Sequence, residues 1–266
     1  MSAEAFPAVG HAMGTPSSPR EGEGEPLMRE DVMTAGTGLR VYPEPADVFV
    51  ADQVELARHL HPLISIDLAQ VNPDWHGWIH LVSPLEPAEG YIGDHTRAFH
   101  SALQTTNWLG FVMDGDRYRL LGDVRYFARA ATPEEVPELW EGFRARLDEH
   151  CECQERSYQA HRDTFRCEGE LLRLDDEGSP LYGTRDPVAL LDQLGGHADA
   201  HSNWVDPDLF HLEYDDDHAW PISPAGNRFQ FVAAVPGWHY RRSGADQILL
   251  FFEPVDRLAL LTFDWS

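Results

Sequence analysis

Trp108-Leu109-Gly110-Phe111-Val112-Met113, followed at once by Asp114-Gly115, decides the class of fold. The run is apolar and rich in strand formers, and Asp-Gly is a strong hairpin signal because both turn positions need positive φ. Tyr118 to Leu121 is expected to pair back, Gly122-Asp123 to make a second turn, and Val124 to Ala128 to close an antiparallel meander.

Downstream, Thr132-Pro133-Glu134-Glu135 reads as a helix start. Thr caps, Pro suits the first helical position, and Glu135 completes a capping box. Val136, Trp140, Phe143, Leu147 and Cys151 recur at steps of three and four as one buried stripe, opposite Glu138, Glu141, Arg144 and Glu152. The spacing predicts one long helix over about 133–166, packed across the sheet. Glu170 to Leu174 then reads as a short strand, and Pro187 to Leu194 as a short helix stopped by Gly195-Gly196. The end of the chain is strand-rich: Arg228 to Val235, Gln247 to Glu253 and Leu258 to Trp265. The last two carry continuous apolar runs, as buried strands do.

Upstream, Val54 to Leu60 has helical spacing, while Leu63 to Leu68 and Trp78 to Val82 read as strands. Residues 1–40 are rich in Gly, Pro, Ser and Glu without an apolar period, and are expected to form a flexible leader. The fold class is therefore α+β, a largely antiparallel sheet with one long helix. It is expected as a single domain over 41–266, with a sub-boundary near 168–185.

The order of features in the last third resembles the YwqG-like family of bacterial proteins of unknown function. Leu194-Gly195-Gly196 is followed by a polar loop through Asn203-Trp204, then Pro221, the Gly226-Asn227 turn and the strand to Val235. Ile248 to Pro254 and the closing Thr262-Phe263-Asp264-Trp265 complete the likeness, over roughly residues 190–266. The resemblance implies a sheet-based fold and, through the association of such proteins with bacterial toxin loci, an immunity or antitoxin role. It supplies no catalytic residue.

Composition bounds the function further. The 266 residues are 42% hydrophobic and include 8 Trp, 13 Phe and 8 Tyr, enough to build a core rather than a disordered acidic chain. Forty-five acidic residues face 20 basic ones, all Arg, for a net charge of -25. Such a surface repels nucleic-acid phosphate and anionic lipid and attracts a basic protein or a cation. Three cysteines within 17 residues, Cys151, Cys153 and Cys167, make no disulfide framework. With neither an apolar run long enough to span a membrane nor a signal-peptide pattern, a cytoplasmic setting is expected.

Two clusters have chemistry within reach. His197-Ala198-Asp199-Ala200-His201 alternates, so an extended backbone puts His197, Asp199 and His201 on one side, a donor set for zinc or iron. His211, Asp215, Asp216, Asp217 and His218 lie nearby as further ligands. Against this, the segment reads as an exposed loop whose polar groups are solvated. His150-Cys151-Glu152-Cys153, with His161 and Cys167, offers thiolates and imidazoles, but Cys-x-Cys on a helix points the sulfurs about 200° apart. Core packing of Cys151 is the better reading. Trp75, Trp78 and His80 line either a pocket or the core. Phosphate-loop, serine-elbow and His-Glu-x-x-His signatures are missing. Three functions stay open: a non-enzymatic acidic protein that binds a basic protein partner, a metal-dependent hydrolase or oxygenase on the His197–His201 loop, and a housekeeping protein whose acidity is compositional.

Overall fold

The computed structural model describes residues 27–265, apart from positions 138, 176, 201, 207 and 216. The strands in chain order are β1 (Arg29–Val32), β2 (Leu39–Val41), β3 (Leu60–Asp67), β4 (Trp78–Pro84), β5 (Gln104–Thr105), β6 (Trp108–Asp114) and β7 (Arg117–Arg119). After them come β8 (Leu171–Leu172), β9 (Pro187–Val188), β10 (Leu191–Leu194), β11 (Leu212–Tyr214), β12 (Ala219–Pro221), β13 (Gln230–Val235), β14 (Gln247–Glu253) and β15 (Leu258–Asp264). A short helix, α1 (Pro45–Val48), precedes the 28-residue α2 (Glu141–Glu168).

An eight-stranded antiparallel sheet runs β1-β10-β13-β14-β15-β6-β5, with β7 also on β6. A three-stranded sheet, β2-β3-β4, sits apart from it. The chain is thus α+β with a strand-rich C-terminus and one long helix. Period-two alternation sorts the large sheet's two faces. On one face Ile248, Leu250, Phe252, Leu261 and Phe263 join the main core with Ile64, Ile66 and Leu81 of the small sheet. On the other, Leu249, Phe251, Leu258 and Leu260 meet Trp204, Phe210 and Leu212. Those last three belong to an excursion of the chain between β10 and β13, which includes the β11–β12 hairpin and covers this second face.

Several expectations are corrected. β1 and the start of β2 lie inside the segment expected as leader; β1 pairs with β10 through Arg29↔Leu194 and Val32↔Leu191. Residues 1–26 of that leader fall outside the described residues. The hairpin turn sits one residue later, because Asp114 pairs with Arg117 and leaves Gly115-Asp116 central; only Gly115 has positive φ. Val124–Tyr126 and Ala128–Ala130 are 3-10 turns rather than a third strand. Asp123 caps the first through the Arg125 amide at 2.9 Å, and Tyr126 anchors it by donating to the carbonyls of Thr105 and Trp108. Val54–Arg58 is likewise 3-10, and Leu60 already belongs to β3.

Pro187 to Leu194 forms β9 and β10 instead of a helix. Its amides find partners in β8, β1 and β13, and that tertiary supply of hydrogen bonds overrides local preference. Thr132 to Val136 does form the expected capped turn: Glu135 accepts from the Thr132 amide at 3.0 Å, and the Val136 amide donates to the Thr132 carbonyl at 2.9 Å. The turn goes no further as α-helix because Pro137 disfavours helical geometry at Val136. Helix α2 starts only after exposed Trp140, which belongs to the predicted stripe but stands outside the core. Phe143, Leu147 and Cys151 are buried with Leu85, Ala128, Val136 and Leu139. No helix among the described residues is long and apolar enough to cross a membrane.

Candidate functional site

The Gly195-Gly196 pair, at φ +73° and +79°, ends β10 and turns the chain out over the second face. Ala198 and Trp204 then bury themselves against the sheet, and the Trp204 indole donates to the Asp199 carbonyl at 3.0 Å. Asp199 bridges antiparallel to His218, which brings the His197 and His218 rings to 4.4 Å between centroids. His218 stands 5.7 Å from the Trp220 ring and 3.4 Å from Asp215 Oδ1. Asp215 also accepts from the amides of Asp217 and His218, which holds its carboxyl below the usual range. His197 is pulled down by burial and by the neighbouring His218, against the opposing pull of Asp215.

Of the predicted metal set, then, His197 packs on His218, Asp199 lines a cavity behind the loop, and His201 falls outside the described residues. Among the described residues no group of three or more His, Cys, Asp or Glu is placed to hold a metal ion.

The cavity behind the loop, about 440 Å³, is the floor of the second face seen from the β10 end. Register puts Gln193 opposite Ala234 and Gln247 opposite Asp264, so these side chains share that face. Asp199 from the loop, Asp246 just before β14 and Asp264 at the end of β15 are among its lining residues, with apolar Phe231, Ala234 and Leu249. Among the described residues no Arg or His lines it. Asp264 is only 5% exposed, and its enclosed Oδ1 has no hydrogen-bond partner among the described residues. Sequence reasoning missed Asp246 and Asp264: Asp264 closes a buried and largely apolar strand, but Glu253 closes β14 in the same way, so that position did not single it out.

A larger cleft, about 770 Å³, opens between α2 and the 3-10 turns, lined by Arg58, His59, Arg129, Cys151, Glu155 and Arg156 among others. Beneath it lies a buried polar chain. His61 stacks on Tyr158, its Nε2 is 2.8 Å from Glu155 and its Nδ1 is 3.3 Å from an Arg241 nitrogen. Arg241 can only donate, so neutral His61 accepts at Nδ1 and donates from Nε2 to the carboxylate. Burial pulls His61 down to about 4, and the His61 hydrogen bond holds Glu155 near 2. Arg241 is wholly enclosed, lowered to about 10 by burial, and donates to the carbonyls of Pro84 and Ser243.

Glu86, also enclosed, accepts from the amides of Ala128 and Arg129 and is pushed up by burial to about 7. Cys151 is pushed up to about 12, again by burial, so at neutral pH it stays a thiol and not a nucleophile. The three cysteines are free. Trp75 packs on Phe252, Arg40 covers the Trp78 ring, and His80 is buried between Ser65 and the Asp116 carbonyl. These groups tie elements together.

Compared with known proteins, the chain matches no family model, no curated protein and no solved structure.

Proposed function

We propose that this chain is a non-enzymatic acidic binding protein whose partner is a basic protein, with the immunity or antitoxin role implied by the resemblance above as its specific form. The carrying observation is where the charge lies. Between Arg185 and Arg228 the sequence has no arginine and nine acidic residues. This stretch contains the excursion that covers the second face of the large sheet. Arg228, which ends the stretch, is already paired with Glu213 at 2.7 Å. A face so supplied with carboxylates speeds the approach of a basic protein and rejects nucleic acid and anionic membrane. The free thiols suit a reducing cytoplasm.

The test is capture by tagged chain at low and high ionic strength. The reading requires one basic protein retained at low salt and released as salt screens the charges. Retention that ignores salt, or no retained basic protein at all, refutes it.

A further inference from the structure

Arginines are outnumbered by 45 acidic residues to 20 in this chain, yet three of them, Arg58, Arg129 and Arg156, line one cleft. It is the space of about 770 Å³ between α2 and the 3-10 turns Val54–Arg58 and Ala128–Ala130. Among the described residues neither Arg58 nor Arg156 has a carboxylate partner, and Arg156 donates to Cys153 Sγ at 3.1 Å. Arg129 has only a share of Asp148, which stands 3.8 Å from its Nε and 3.5 Å from that of Arg144.

Two carboxylates also line the cleft, Glu152 and Glu155, so the guanidiniums outnumber them by three to two. Glu155 has both oxygens engaged, Oε2 with His61 at 2.8 Å and Oε1 with Gln159 at 2.9 Å. His59, on the cleft wall, reports the local sign: after burial, Arg129 and Arg58 are what pull it down. The turn that carries Arg129 is fixed from behind. Enclosed Glu86 accepts from the amides of Ala128 and Arg129, and Arg144 donates to the carbonyls of Ala128, Arg129 and Ala131. Arg129 in turn donates from Nη1 to the Arg58 carbonyl at 3.3 Å, which ties the two arginine-bearing turns together.

A pocket of positive sign in so acidic a molecule selects a small anion. A nucleic-acid strand would lay its neighbouring phosphates on the surrounding carboxylates, whereas one compact anion avoids them, because repulsion beyond about 8 Å is screened at physiological salt. A carboxylate is planar with two oxygens, and suits a single arginine fork. A phosphate monoester carries close to two charges at neutral pH and three oxygens directed apart, which suits arginines entering from three separate elements. The cleft is far larger than one phosphate and falls in the size range of small-molecule sites, with Ala130 and Cys151 as apolar lining for an organic group.

We propose that the cleft between α2 and the Ala128–Ala130 turn binds the phosphate monoester of a small organic molecule, with Arg58, Arg129 and Arg156 as its phosphate ligands. The basic-partner reading rests on other residues, so either can fail without the other.

The test titrates the whole chain with phenyl phosphate, inorganic phosphate and benzoate at constant ionic strength, by calorimetry and by the NMR signals of the His59 ring. Phenyl phosphate is expected to bind most tightly and to move those signals. Arg129→Gln should weaken it about tenfold or more, the size of a lost charge-assisted hydrogen bond. Arg58→Gln and Arg156→Gln, at exposed positions where folding is not at stake, should each weaken it in the same direction. Arg146→Gln removes an exposed charge of α2 outside the cleft and should leave the affinity within about twofold. No binding of phenyl phosphate, binding that leaves the His59 ring unmoved, or equal losses at Arg146 and the cleft arginines overturns the site. Benzoate binding as tightly as phenyl phosphate overturns the phosphate, and inorganic phosphate binding as tightly overturns the organic group.

Discussion

Gly195 is where a single residue sets the course of the candidate site. It lies at φ +73°, and a Cβ built there would meet the Leu27 carbonyl oxygen at 1.9 Å. From sequence the Gly-Gly pair reads as the stop of a helix; in the structure it ends a strand and launches the excursion. Gly195→Ala therefore combines left-handed strain with a clash against backbone that cannot rotate away, and is expected to cost about 3 kcal/mol. Gly36→Ala, with nothing within 4 Å of its Cβ position, is the control and should change stability by no more than about 0.5 kcal/mol. Urea unfolding followed by Trp fluorescence measures both; equal midpoints for the two variants would refute the argument. Of the candidate site, Asp199 was legible from its alternating loop. Asp246 and Asp264 were not, because their convergence depends on β10, β13, β14 and β15 being neighbours in one sheet. No spacing within the chain carries that.

At the scale of elements, the long apolar strands were readable because burial on both faces leaves a run that few other structures tolerate. β14 has the boundaries expected of it, and β6 and β15 lie within a residue of theirs. The misreadings cluster where an element's partner comes from elsewhere: β10 is a strand because β1 and β13 flank it, and the turns after Gly122 are held by Tyr126 reaching back to β5 and β6. Helix α2 lies between these cases. Its stripe was read from periodicity, but its start was set by Pro137. The stripe's energetic meaning can be measured. Leu147, 1% exposed within the Leu85–Ala128–Leu139 cluster, should lose about 3 kcal/mol on substitution by Ala through lost burial and a residual cavity. Glu152, exposed on α2 one residue from Cys151, should tolerate Ala within about 0.5 kcal/mol. Comparable losses at both positions in chemical denaturation would mean that the helix packs by a different face.

The whole molecule couples its fold to pH through histidines that it keeps neutral. His59, His61, His80 and His239 are each pulled down to about 4, chiefly by burial, from an ordinary value of 6.5. The unfolded chain therefore takes up protons below pH 6.5 that the folded chain refuses until near pH 4. Stability from this source is complete above pH 6.5 and drains away as pH falls towards 4. Glu86, pushed up to about 7, works the other way: folded, it gains a proton as pH falls from 7 towards 4.5, before the unfolded chain does. Asp192, raised to about 6 by burial and by Asp31, acts in the same sense, but its side chain is about a third exposed and screened, so it counts for less. Four groups against fewer than two leave the unfolded state binding between two and three more protons near pH 5.5. Each proton is worth about 1.4 kcal/mol per pH unit, so stability should fall by about 3 kcal/mol from pH 6 to pH 5. Over the same interval, protonation of surface carboxylates relieves the self-repulsion of a chain at -25, which makes a net loss the more telling result. Urea midpoints at pH 7.5, 6.5 and 5.5 should therefore decrease in that order at fixed ionic strength, while the ring-proton shifts of His61 and His80 stay those of neutral imidazole throughout. Midpoints that hold or rise on acidification, or imidazolium shifts appearing above pH 5.5, would show that these rings are not held neutral in the core.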